Sequence, residues 1–345
     1  MKHTGYALSA TFVLAILTGS TAVLAADAPV SLAPPYAPIV AGLAVPVVAH
    51  PDQQALLQSK IPQLAANKRL VYDMWRTIIL AGQVDKADTY LTQQYMQHNP
   101  MVPTGREAFK TFFASFVKRQ DQVPATIPEL LTLIAEGDYV VLALVSHYPE
   151  PDGSGKTYTS THFDLSRIEN NKIAEHWDSE QLGKGMNVPS AENGGPLPVV
   201  GVQGLAQHAM LQNADPQLFS NKRLAFDIWR HIPEGGREEM AELYLDPIYI
   251  QHNPNAATGR DGFKEYFSQR PDAPIQTFLG DPLVAVVAEG DLVVQVLQEE
   301  RPHPDTGVTY YIAWFDMFRM HNDLVIEHWD TASKGELPAA MQQAQ

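Results

Sequence analysis

An α+β fold built twice in one chain is what the sequence predicts, and three observations carry that prediction. The segment Asn67-Lys68-Arg69-Leu70 returns as Asn221-Lys222-Arg223-Leu224, and the register holds at an offset of 154 through Lys110 and Lys264, with 22 identities in 44 positions. A period that long marks two whole domains, not a solenoid of small units. Within each copy, helical periodicity comes first and strand-like alternation follows, the order of a unit whose helices pack on one face of a sheet. Finally, 345 residues, 45% of them hydrophobic and 18% charged, give length for two domains plus linkers and enough apolar side chains for a core in each.

The elements follow in order. Leu70, Val71, Met74, Trp75 and Ile78 recur at helical spacing and form one apolar face of an opening helix; Leu224, Ile228 and Trp229 repeat it. A second helix near Lys86 to Leu91 leads to Tyr95-Met96-Gln97-His98-Asn99-Pro100, where Asn-Pro marks a turn. Thr104-Gly105-Arg106-Glu107 reads as a capping box opening a third helix through Phe109 and Phe113, and Thr258 with Asp261 gives a weaker version. Strands are expected from Tyr139 to Ser146, from Thr157 to Ile168, and, after a turn at Asn170-Asn171, from Ile173 to Trp177. Joined this closely they must be antiparallel neighbours. Each copy should therefore pack about three helices on a curved antiparallel sheet, with room for a pocket between.

The expected organisation is a signal peptide at 1–25, an Ala/Pro-rich lead-in at 26–60, a first domain at 61–185, a linker at 186–215, a second domain at 216–336 and a tail at 337–345. Lys2, the apolar run from Thr11 to Leu17 and the small-residue pattern Val23-Leu24-Ala25 predict export to the periplasm or medium, with cleavage after Ala25. The apolar run is too short to span a membrane, so the mature chain is expected to be soluble. A net charge of −15 argues against nucleic acid and anionic membrane as partners. With no cysteine there is no thiolate nucleophile and no Cys-type metal site, so chemistry must use oxygen and nitrogen groups.

Both copies carry an aromatic-x-Gln-His-Asn-Pro turn and a Thr-Gly-Arg-acid helix start. Ala135-Glu136-Gly137-Asp138 recurs as Ala288-Glu289-Gly290-Asp291, and a Phe-Asp-x-x-Arg strand leads to Glu175-His176-Trp177-Asp178 and again to Glu327-His328-Trp329-Asp330. In this combination the sequence resembles the SnoaL-like family, the polyketide cyclase and aldol-condensation type of the NTF2-like superfamily. The resemblance implies two tandem conical barrels, a pocket inside each cone and pairing of two such domains across their sheets, here as an intramolecular pseudo-dimer. It also implies that the strand carboxylate Asp164 is the proton acceptor and that His147, at the end of the preceding strand, polarises the substrate.

Strand alternation puts Tyr158, Ser160, His162 and Asp164 on one face. The chemistry expected is abstraction of a proton α to a carbonyl and attack of the enolate on a second carbonyl, without metal or organic cofactor. An Asp serves as such a base only if an apolar pocket raises its pKa, with His147, His162 or Tyr158 donating to the developing enolate. Tyr95 with His98, Tyr249 with His252, His176 with Asp178, and Asp316 with His328 complete the expected pocket lining. Either turn histidine could instead bond to backbone, and Trp177 and Trp329 are expected in the core. Because His147 aligns with Glu300 and His162 with Trp314, the amino-terminal copy is expected to hold the active pocket. The rivals are a noncatalytic module binding a small apolar ligand in the same cone, and a metal enzyme using His98, His147, His162, His176 and Asp178, although no His-x-His or His-Glu-x-x-His pair supports the latter. A filled, purely structural scaffold would have no cavity at all.

Overall fold

The computed structural model describes residues 43–186, 188–190 and 194–335; the expected signal peptide and carboxy-terminal tail lie outside them. After a one-turn helix α1 (Gln53–Leu56), α2 (Pro62–Met74) continues into a wider π-turn segment Trp75–Leu80, then a short α3 (Ala87–Tyr90), β1 (Leu91–Gln97) and α4 (Arg106–Ala114). Four long strands follow: β2 (Leu130–Glu136), β3 (Tyr139–Pro149), β4 (Thr157–Glu169) and β5 (Lys172–Asp178). The second domain repeats the plan with α5 (Pro216–His231), α6 (Ala241–Tyr244), β6 (Leu245–Gln251), α7 (Arg260–Phe267), β7 (Leu283–Glu289), β8 (Leu292–Pro302), β9 (Thr309–His321) and β10 (Leu324–Asp330). Among the described residues, no helix is long and apolar enough to cross a membrane.

The two sheets run β1-β5-β4-β3-β2 and β6-β10-β9-β8-β7, so the α+β architecture is present twice. Each is mixed, not purely antiparallel, because β1 joins β5 in parallel and β6 joins β10 likewise. Leu91–Gln97 is an edge strand with four polar residues in seven, which leaves little apolar alternation for a sequence reading to catch. The expected turn at Asn170-Asn171 is there, with φ of 52° and 58° at its two central residues, the conformation that a two-residue hairpin turn requires and that Asn tolerates. The capping boxes are not. Gly105 and Gly259 occupy the N-cap positions at φ of 96° and 95°, while the Thr104 and Thr258 hydroxyls accept hydrogen bonds from the N–H groups of Gln97 and Gln251. The threonines thus fasten the helix start to the strand before it.

Each sheet has two buried faces. Val140 and Leu142 point toward the helices of the first domain, whereas Val141, Ala143, Phe163 and Leu165 pack against Val294, Val296, Phe315 and Met317 of the other sheet. The rings of Phe163 and Phe315 stack at 5.3 Å. Two matched ion pairs flank this contact, Lys68 with Glu289 at 2.9 Å and Lys222 with Glu136 at 2.7 Å. The same carboxylates accept the N–H groups of Ala135 and Ala288 in the opposite domain, so neither buried lysine lacks a partner. Two connecting arms also cross over. Val45 bonds to Gln251 before His50 bonds to Leu130, and Leu197 bonds to Gln97 before Val202 bonds to Leu283.

Candidate functional site

Inside the first cone, Asp164 is buried and its Oδ1 lies 2.7 Å from His176 Nε2. His176 Nδ1 meets Gln97 Oε1 at 3.0 Å, Gln97 Nε2 donates to the Tyr95 hydroxyl at 3.0 Å, and Asn99 donates to Asp178 at 2.7 Å. His162 Nε2 stands 3.6 Å from the second oxygen of Asp164. Burial alone would push the Asp164 carboxyl up, but the positive charge of His162 and the charge and hydrogen bond of His176 outweigh it and hold the carboxyl well below the usual range. His162 and His176 are raised in return: burial opposes their charge, and Asp164 more than offsets that. An aspartate held this firmly as an anion is a weak base, contrary to the raised pKa expected of Asp164 as the proton acceptor. Asp178, pushed up to about 6 chiefly by burial, is the weaker acid of the two.

The second cone repeats the skeleton with a different outcome. Asp316 Oδ1 lies 2.9 Å from His328 Nε2, His328 Nδ1 meets Gln251 Oε1 at 2.9 Å, Gln251 donates to the Tyr249 hydroxyl, and Asn253 donates to Asp330 at 2.6 Å. Trp314 takes the place of His162, Phe318 that of Ser166 and Gln295 that of Leu142. Burial is the dominant influence here and pushes Asp316 well above the carboxylate range, only partly offset by the nearby indoles of Trp314 and Trp229. Burial likewise pulls His328 down to about 4 and pushes Asp330 up to about 6. The surroundings thus favour the ionic form of the pair in the first domain and the neutral form in the second.

A cavity opens on this second pair, walled by Trp229, Phe263, Tyr266, Phe267 and Phe318, with Asp316, His328 and Asp330 among its lining. Asp316 Oδ2 is buried and has no hydrogen-bond partner, and neither has the amide of the fully buried Gln295, which lies opposite Asp316 across the strand pair. Leaving such groups unmade costs about 1–3 kcal/mol each; Asp316 lines the cavity, Gln295 is buried outside its lining, and Asp164 Oδ2 is unpaired in the same way in the first domain. The cavity is small, about 40 Å³, so a compound larger than a few heavy atoms enters only if the aromatic wall moves aside; its apolar wall, convergent polar groups and displaced acid are the features of a small-molecule site.

Several expected site residues lie elsewhere. His147 is exposed, 3.8 Å from Glu129, and its strand partner is Thr159, so alternation sets it on the opposite face from Asp164. Tyr158 shares the face of Asp164 but sits at the far end of β4, where its hydroxyl accepts the N–H of Lys334 and its ring stacks on Tyr148. His98 and His252 point away from the cones, stack on Trp177 and Trp329 at 4.8 and 4.9 Å, and reach Glu175 and Glu327. Their other ring nitrogens meet backbone carbonyls of the crossing arms. Tyr95 and Tyr249 are fully buried behind the glutamines and do not line the cavity.

What the sequence reading passed over are Gln97, Asn99, Gln251 and Asn253, which flank those histidines and therefore face inward, and Gln295. The signal was available for the first four: the whole Gln-His-Asn-Pro turn is repeated, and strand alternation makes either the histidine or its neighbours face the cone. The five-residue histidine cluster considered for a metal does not converge, because His98 and His147 lie on the outer faces. Among the described residues, the compact sets that could offer ligand atoms within 4.8 Å of one another are Asp164, His176 and Asp178, and Asp316, His328 and Asp330. Their atoms already hydrogen-bond to one another and to the glutamines and asparagines.

With this geometry in view, the comparisons fall into place. The family described as SnoaL-like polyketide cyclase matches residues 69–184. The first domain is SnoaL-like. The second repeats its strand order and site skeleton. Solved structures similar to the chain include a candidate polyketide cyclase from Acidithiobacillus ferrooxidans, with 21% identity over 33% of this chain and 86% of that one and a TM-score of 0.24. A candidate SnoaL-like polyketide cyclase from Jannaschia sp. CCS1 aligns at 17% identity over 35% and 89%, with a TM-score of 0.25. An LEH-like epoxide hydrolase from M. tuberculosis aligns at 12% identity over 34% and 84%, with a TM-score of 0.25. Each alignment spans about one SnoaL-like domain of the two. No curated protein matches the chain. The match names a family, and what this chain does with the scaffold is a separate question.

Proposed function

We propose that the protein is an exported, cofactor-free acid–base enzyme that removes a proton α to a carbonyl of a small apolar compound, and that the second domain does the chemistry. The observation that carries this reading is Asp316: buried, on the cavity wall, raised well above the carboxylate range, with one oxygen tied to His328 and the other free. In the reaction the α C–H bond breaks and its proton goes to Oδ2. The proton already on Oδ1 passes to His328 Nε2, where the negative charge of the adjacent enolate stabilises an imidazolium that burial alone disfavours. The enolate oxygen can take a hydrogen bond from the Gln295 amide, the enolate carbon attacks a second carbonyl, and the new alkoxide recovers a proton from the same relay.

The first domain is read as the structural partner, its Asp164 ion-paired and unsuited to the base role. The matched lysine–glutamate pairs, the shared apolar core and the crossing arms support a pseudo-dimer in which each domain completes the other. Export rests on Lys2, the apolar run and the small-residue cleavage pattern. Net charge of −15 argues against nucleic acid and anionic membrane as partners.

The test is exchange of the α protons of 2-tetralone for deuterium in D2O, followed by NMR. Wild type should accelerate exchange, Asp316→Asn should lose on the order of 10²–10⁴-fold of that acceleration, and Asp164→Asn should retain it. Loss in Asp164→Asn with full activity in Asp316→Asn would return the site to the first domain. Binding of the ketone without exchange would favour a noncatalytic ligand-binding module.

A further inference from the structure

Gln251 is held more tightly than any ligand contact would require. It is buried, its Nε2 donates to the Tyr249 hydroxyl, and its Oε1 accepts both the backbone N–H of Asn253 at 2.9 Å and the facing Nδ1 of His328 at 2.9 Å. A backbone N–H can only donate, so the amide atom facing it must be oxygen, and the flipped amide is excluded. An oxygen already accepting one bond gives His328 nothing to accept, and Nδ1 must therefore carry a proton. The lone pair of the neutral ring is left on Nε2, which is the nitrogen facing Asp316.

We infer that the glutamine of the Gln-His-Asn-Pro turn is a positioning residue: Gln251 dictates which nitrogen of His328 is protonated and so leaves a single mobile proton between His328 Nε2 and Asp316 Oδ1. This deepens the acid–base reading, on which its catalytic meaning rests. Without the glutamine, the neutral ring could place its proton on Nε2 and donate to Asp316, and no acceptor would face the proton on Oδ1. Gln97 stands in the same relation to Asn99, Tyr95 and His176, with bonds of 2.9, 3.0 and 3.0 Å, so the device is built into both copies. Its consequences differ only because the neighbours of the aspartates differ.

The experiment is a long-range proton–nitrogen NMR correlation on the full chain with ¹⁵N-labelled histidine, His328 being assigned from the cross-peaks lost in His328→Asn. Wild type should show Nδ1 protonated. Gln251→Met, which keeps the bulk and removes the acceptor, should move the ring proton to Nε2, and Gln251→Glu, which keeps an acceptor, should hold it on Nδ1. A wild-type ring with bare Nδ1 would overturn the inference whatever the variants do, as would an unchanged Nδ1–H signal in folded Gln251→Met. No substrate enters this measurement. Failure of the acid–base reading would appear separately, as undiminished α-proton exchange in Asp316→Asn.

Discussion

Two sites with the same skeleton, in one chain, have arrived at opposite charge states. Both hold an aspartate against a histidine, the histidine against a glutamine, and a second aspartate against an asparagine. The difference lies in three inward-facing positions: Leu142, His162 and Ser166 around Asp164, and Gln295, Trp314 and Phe318 around Asp316. A nearby imidazolium stabilises a carboxylate, whereas Trp314 and Phe318 chiefly remove water from it, the Trp314 indole offsetting only part of that. One shared proton is therefore drawn toward the histidine in the first domain and toward the aspartate in the second. The lesson is that a catalytic motif does not set its own protonation state; the side chains beside it do.

Exchanging those neighbours should break the comparison. Trp314→His is expected to lower the Asp316 pKa, followed by carboxyl ¹³C NMR against pH, and to cut α-proton exchange by about 10²-fold. If the carboxyl stays protonated near neutral pH in this variant, position 314 is not the control point. A smaller effect is expected at the domain contact. Lys222→Met leaves Glu136 without its cation, and the loss should be about 2 kcal/mol in urea unfolding, below the range for fully buried pairs because Glu136 is one-fifth exposed and still accepts the N–H of Ala288. A change within error would make the lysine incidental to the pairing.

Gln295→Leu installs the residue of the first domain and should raise stability by about 1 kcal/mol, since it removes an unsatisfied buried amide, while slowing α-proton exchange. A variant that is less stable and equally active would mean that Gln295 is packing, not a ligand contact. The smallest effect expected is one of pH. His162 has a raised folded-state pKa, so its charge stabilises the fold fully below the unfolded value of about 6.5, and that contribution disappears as pH rises through the folded value. The melting temperature of wild type minus that of His162→Gln should accordingly be largest in mild acid and shrink in alkali. A difference that grows with pH would reverse the assigned sign.

Read from the chain alone, the duplication, the helices-then-strands order, the Asn-Asn turn and the shared face of His162 and Asp164 were all legible, because each depends on repeats, periodicity or strand alternation. Edge strand β1 was not, since its polar residues carry no amphipathic signature. His147 and the turn histidines are chemically able to line a pocket, but alternation leaves either parity open, and it is the strand register that turns them outward. The raised carboxyl was sought at Asp164, where the histidines are, although those same histidines are what depress it.

The amino-acid sequence by itself determined that there are two repeated units and which strand positions bear the aspartates, since repetition and side-chain periodicity are properties of the chain. Only the tertiary structure decided which aspartate is the weak acid, that the glutamine and not the histidine of the turn addresses the site, and that each domain is buttressed by arms crossing from the other's surface. Burial, electrostatic coupling and hydrogen-bond satisfaction depend on groups brought together from distant parts of the chain, and no local pattern records them.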